Sequence, residues 1–124
     1  MSVEKQPEDP GRKRIAVALG WVSGATLGVA INGLIHGAGV EESRLIADKD
    51  SQAFQRVFDG KAIGGLALAT HVDPDAWFVS MGSVAGRFGN PGQVDYSAAN
   101  EAMAQVCLTR PRSLHVDWTA WADV

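Results

Sequence analysis

Four short apolar runs punctuate this chain: RIAVAL at 14–19, NGLIH at 32–36, WFVSM at 77–81 and LHVDW at 114–118. Each has the length of a strand buried in a sheet, too short for a helix of ordinary size. Between the second and third runs, Phe54, Val57, Phe58, Ala62, Ile63 and Leu66 recur at three- and four-residue steps. That period predicts a helix over 51–70 capped by Asp50 or Ser51. The Gly64–Gly65 pair weakens this helix internally and lets a partner approach closely. A glycine-rich loop over 82–92, a helix over Tyr96–Leu108 and a break at Pro111 separate the third and fourth runs. Strand, helix, strand, helix, strand is the order of a parallel sheet flanked by helices. In such sheets the ligand crevice lies beyond the carboxyl ends of the strands. The loops HGAG (36–39) and GSVAGRFGNPGQ (82–93) both follow strands, so both belong to that edge.

Several function classes fall away. The chain's 124 residues allow one domain at most, and its net charge of −3 offers no electrostatic footprint for nucleic acid. The lone cysteine, Cys107, lies in an apolar helical stretch and reads as a buried core thiol, and three scattered histidines form no metal-ligand spacing. Residues 1–14 are polar and proline-bearing, as expected of a disordered tail ahead of a domain over 15–124. A basic cluster, Arg12 to Arg14, precedes the charge-free stretch 15–40, in which Gly20, Gly24 and Gly28 are spaced as in membrane helices. Six glycines, Asn32 and His36 leave that stretch weakly hydrophobic, so a membrane anchor is the lesser reading and a cytoplasmic chain the expected one. Glu41, Glu42, Asp48, Lys49 and Asp50 read as a solvated surface, His36 as a turn residue, and Trp118 and Trp121 as core or pocket wall.

The chemistry gathers around one tyrosine. Ser83 precedes Tyr96 by thirteen residues, and Asn100 follows it by four, on the same helical face. Lys61 lies on the preceding helix and faces the same edge if the apolar side of that helix packs on the sheet. A carbonyl held by the Ser83 hydroxyl and the Tyr96 phenol is polarised, and Tyr96 can protonate the oxygen as hydride reaches the carbon. An ammonium at Lys61 favours the phenolate by opposite charge. Asn100 can hold the lysine or an ordered water. No side chain supplies hydride, which implies a nicotinamide cofactor.

The run NGLIHGAGV…FDGKAIGG…SVAGRFGNPGQVDYSAANEAMA…HVDWTAW resembles the ketoreductase domain of modular polyketide synthases, a branch of the short-chain dehydrogenase/reductase superfamily. The similarity covers Ile31 to Val124. HGAG resembles the family's turn after its fourth strand, and WTAW its signature after the sixth. Most short-chain reductases carry the lysine four residues after the tyrosine; polyketide ketoreductases exchange it with the asparagine, as Lys61 and Asn100 do here. The resemblance implies a partial Rossmann-like fold lacking several strands of the full domain. It also implies NADPH as cofactor and an acyl-carrier-protein-bound β-ketoacyl thioester as substrate, with other synthase domains or a companion chain as further partners. Tyr96 becomes the general acid, Ser83 the carbonyl-orienting residue, Lys61 the ribose-binding residue and Asn100 the end of the proton relay. Gly37, Ala38 and Gly39, with Lys61 and Tyr96, become the cofactor-binding set.

Ser23–Ala30 (SGATLGVA) resembles a degraded cofactor fingerprint, but two strand–helix units expected before HGAG have no room between Gly28 and His36. The chain reaches Val124 before the expected lid helix and last strand. Glu41-Glu42-Ser43 and Phe88 replace the two signatures linked to opposite product stereochemistries. A non-catalytic remnant that no longer binds dinucleotide is therefore the alternative expectation.

Overall fold

The computed structural model describes residues 15–18 and 31–120; the polar tail 1–14, the fingerprint-like 23–30 and Trp121 lie outside the described residues. Four strands form one parallel sheet in the order β1-β2-β3-β4: β1 (Ile15–Ala18), β2 (Gly33–His36), β3 (Trp77–Ser83) and β4 (Ser113–Trp118). The connection from β2 to β3 carries α1 (Ser51–Phe58), a π-helical turn (Asp59–Ile63) and α2 (Gly64–His71). That from β3 to β4 carries α3 (Val84–Phe88) and α4 (Val94–Leu108). Both advance across the sheet in the same direction, so right-handed crossovers lay their helices on the same face.

Alternation along the strands identifies that face. Leu34, His36, Phe78 and Ser80 point into it and are buried; Trp77 and Leu114 point away and are 55% and 53% exposed. Leu34 and Phe78 meet Ala69, Val72, Ala76, Met103 and Cys107 in the core, so Cys107 is the buried thiol its apolar surroundings predicted. Arg110 closes the short path into β4: its guanidinium lies 5.5 Å from the Phe78 ring centroid and donates to the carbonyls of Ala69 (2.6 Å) and Asp73 (2.7 Å). It thereby supplies a partner to the Ala69 carbonyl in the last turn of α2 and ties the turn that follows the helix to the start of β4.

The helix expected over 51–70 is present but not uniform. Asp50 caps it, accepting from the Ala53 amide at 2.7 Å. Its buried stripe runs Ala53, Val57, Lys61, Gly65, Ala69, a strict four-residue step. An α-helix of 3.6 residues per turn would rotate such a stripe by about 40° per step away from the sheet. The wider i→i+5 turn at Asp59–Ile63 takes up that drift and keeps Lys61 facing inward. The loop expected over 82–92 contains the one-and-a-half-turn helix α3, and α4 begins at Val94, two residues ahead of Tyr96.

Candidate active site

Every sequence-derived candidate lies at the carboxyl edge of the sheet or on a helix opening from it. Ser83 ends β3 and caps α3, its hydroxyl accepting from the Ala85 amide at 3.2 Å. Lys61 is 5% exposed, and its ammonium donates at 2.7 Å to the carbonyl of Met81, two residues before Ser83. Burial pulls the Lys61 pKa down from its ordinary value. The turn after β2 reaches the same lysine: a Cβ built on Gly39 would stand 3.2 Å from Lys61 Cε and 3.5 Å from Nζ. Glycine at 39 therefore leaves this flank of the amine open, a cradle that any side chain would fill.

Asn100 is fully buried one turn beyond Tyr96, and its amide nitrogen donates to the Tyr96 carbonyl at 2.8 Å. Its Oδ1 is buried without a partner, a polar atom left for a ligand or water to satisfy. Asn100 also packs against α3, where a Cβ on Gly86 would come within 3.0 Å of Asn100 Cβ. The helix that Ser83 caps and the helix carrying Tyr96 thus approach backbone to backbone. Tyr96 itself is half-buried in the first turn of α4. Among the described residues no hydrogen bond joins Ser83, Tyr96, Lys61 and Asn100 through their side-chain heads; each head is held by main chain or left open. The Gly39 cradle and the orphaned Asn100 oxygen fit the nicotinamide–ribose half of a dinucleotide.

Two readings of single residues change. His36 is the last residue of β2 and not a turn residue: it is 1% exposed, and its Nε2 lies 2.9 Å from the Lys61 carbonyl. Burial lowers its pKa, favouring the neutral ring that donates from Nε2. Lys49 is not solvated surface: its side chain is buried and paired with Asp95, beside Tyr96. Sequence reasoning missed this pair because its members stand 46 residues apart. The visible hint was a carboxylate in the first turn of the tyrosine's own helix.

A parallel sheet flanked by helices, with a lysine, a serine and a tyrosine helix at its carboxyl edge, is a partial Rossmann-like fold. The chain belongs to the KR domain family, whose model matches residues 15–123; these are the ketoreductase domains of polyketide synthases within the short-chain dehydrogenase/reductase superfamily. It is 34% identical over 116 residues to polyketide synthase ThaG of Burkholderia thailandensis, covering 83% of this chain and 2% of that synthase. It is 34% identical over 95 residues to the mellein synthase of Phaeosphaeria nodorum, covering 72% of this chain and 5% of that synthase. Among solved structures, the first-module ketoreductase of phoslactomycin biosynthesis in Streptomyces sp. HK803 superposes with a TM-score of 0.71 at 29% identity, over 79% of this chain and 24% of that one. The chain thus spans a small part of the larger proteins it resembles. No helix among the described residues is long and apolar enough to cross a membrane.

Proposed function

We propose that this chain carries the catalytic half of a ketoreductase that reduces a β-ketoacyl thioester, presented by an acyl carrier protein, with NADPH. The observation that carries this reading is the buried Lys61 ammonium, fixed on the Met81 carbonyl and closely approached by the side-chain-free Gly39 of the turn after β2. A lysine is not placed in a protein interior for stability, since burial disfavours its charge. The turn Gly37–Gly39 and Lys61 hold the nicotinamide ribose, and the cofactor, when bound, supplies the hydride. Ser83 orients the substrate carbonyl. Tyr96 gives its phenolic proton to the oxygen as the carbon is reduced, so the ketone becomes a secondary alcohol. The Lys61 ammonium stabilises the tyrosinate left behind, and the open Asn100 Oδ1 holds the water that returns the proton.

Titrating the chain into NADPH and following cofactor fluorescence tests binding; oxidation of NADPH by a decalone, a model cyclic ketone, tests reduction. Saturable binding with turnover that falls by about 10²–10⁴ on Tyr96→Phe supports the reading. No NADPH binding would favour the alternative reading, a non-catalytic remnant.

A further inference from the structure

Lys49 and Asp95 are the ion pair whose two side chains are both shut off from solvent among the described residues. Nζ lies 2.5 Å from Oδ2, with side-chain exposures of 2% and 1%. The same ammonium donates to the Glu42 carbonyl at 2.6 Å, so it ties both ends of the segment 42–49 together. The other oxygen of Asp95 accepts from the Tyr96 amide at 2.9 Å. That amide belongs to the first turn of α4, where no intrahelical acceptor exists. Two more bonds follow the same path: the Arg44 backbone amide donates to the Gly92 carbonyl at 2.9 Å, and the Gln93 side-chain amide to the Ser43 hydroxyl at 3.3 Å. The segment leaving the Gly37–Gly39 turn is therefore clamped onto the start of the helix that carries Tyr96.

We propose that Lys49 is a positioning residue for Tyr96, setting through Asp95 the distance between the phenol and the Gly37–Gly39 turn. Neither charge can reach water, so each is stable only in contact with the other, and the contact has one geometry. A solvent-exposed pair could slide by an ångström at little cost; this pair cannot. The carboxylate it fixes is bonded to the backbone of Tyr96 itself, so a displacement of Lys49 reaches the phenol through two bonded contacts. A misplacement of about 1 Å is worth up to about 10²-fold in rate where reacting groups must align.

The test has two arms on the full chain. Tyr96 is the sole tyrosine, so tyrosine labelled at the ring Cζ alone gives a single resonance that reports its surroundings whether or not the chain is an enzyme. Lys49→Met is expected to move or broaden that resonance, and Lys49→Arg, which keeps the charge, to return it toward the wild-type position. A folded Lys49→Met protein with the wild-type resonance would overturn the proposal. If Lys49→Met does not fold, Asp95→Asn, of equal size and without charge, carries the same comparison and the same refuting result. The second arm rests on the ketoreductase reading: with NADPH and a decalone, Lys49→Met should lower kcat about 10- to 100-fold with KM nearly constant, and Lys49→Arg should recover most of it. Unchanged kcat in an active protein refutes the positioning role. An inactive wild-type chain refutes the ketoreductase reading instead, and the resonance then decides the positioning role alone.

Discussion

Two glycines five residues apart in one helical stretch should respond in opposite directions to the same added methyl group. A Cβ at Gly65 would enter the space of the Met103 sulfur and come within 2.8 Å of the His36 ring. Both neighbours are buried, at 0% and 1% exposure, and the His36 ring is held by its bond to the Lys61 carbonyl. Neither can yield into solvent, so Gly65→Ala overpacks the junction of β2, α2 and α4, typically costing about 1–3 kcal/mol. Helix propensity returns about 1 kcal/mol of this, leaving an expected net loss of about 0–2 kcal/mol. At Gly60 a Cβ meets nothing within 4 Å, so Gly60→Ala keeps the propensity gain of up to about 1 kcal/mol. Each kcal/mol moves the midpoint of a domain this size by about 4 °C, so thermal denaturation should separate the two variants by roughly 4–12 °C. Gly65→Ala melting at or above Gly60→Ala would refute the claim that α2 is locked against His36 and Met103.

Further outcomes follow from the buried polar groups. Because burial lowers the His36 pKa below 6.5, the unfolded chain takes up the proton first as pH falls. Stability present above pH 6.5 is therefore lost as pH drops toward the folded-state value, with a limiting slope of about 1.4 kcal/mol per unit for one proton; urea midpoints at pH 7 and 5.5 should differ, and His36→Asn should narrow the difference. Lys61→Met should reduce decalone turnover by about 10² or more while changing the urea midpoint little, because the loss of a hydrogen bond to Met81 is offset by removal of a buried charge. A lysine with only a structural role would give the reverse pattern. The Cys107 thiol, 4% exposed and with its pKa raised by burial, should react slowly with a disulfide reagent in the native protein and at once when the chain is unfolded; fast native reaction would place α4 off the sheet.

The sheet order matches one stretch of a doubly wound sheet. In the doubly wound order 3-2-1-4-5-6, the first and fourth strands are already neighbours. β1 pairs with β2 in the same way, and the order of the described strands is sequential.

Much of this was legible in the amino acids alone. Strand-length apolar runs, helical spacing between them and glycines after each strand fix a parallel α/β chain, because those periods are properties of the backbone. The serine, tyrosine and asparagine spacing, with a lysine one helix earlier, points to carbonyl reduction for the same local reason. The face of that helix was not legible: Ile63 and Leu66, part of the expected apolar spacing, are exposed, and Lys61 lies inward with Ala53, Val57, Gly65 and Ala69. Only the folded chain revealed the π turn that holds the phase, the grip of His36 on the Lys61 carbonyl, and the hidden bond from Lys49 to Asp95. Those depend on groups far apart along the chain, and a charge looks solvated until tertiary packing removes its water.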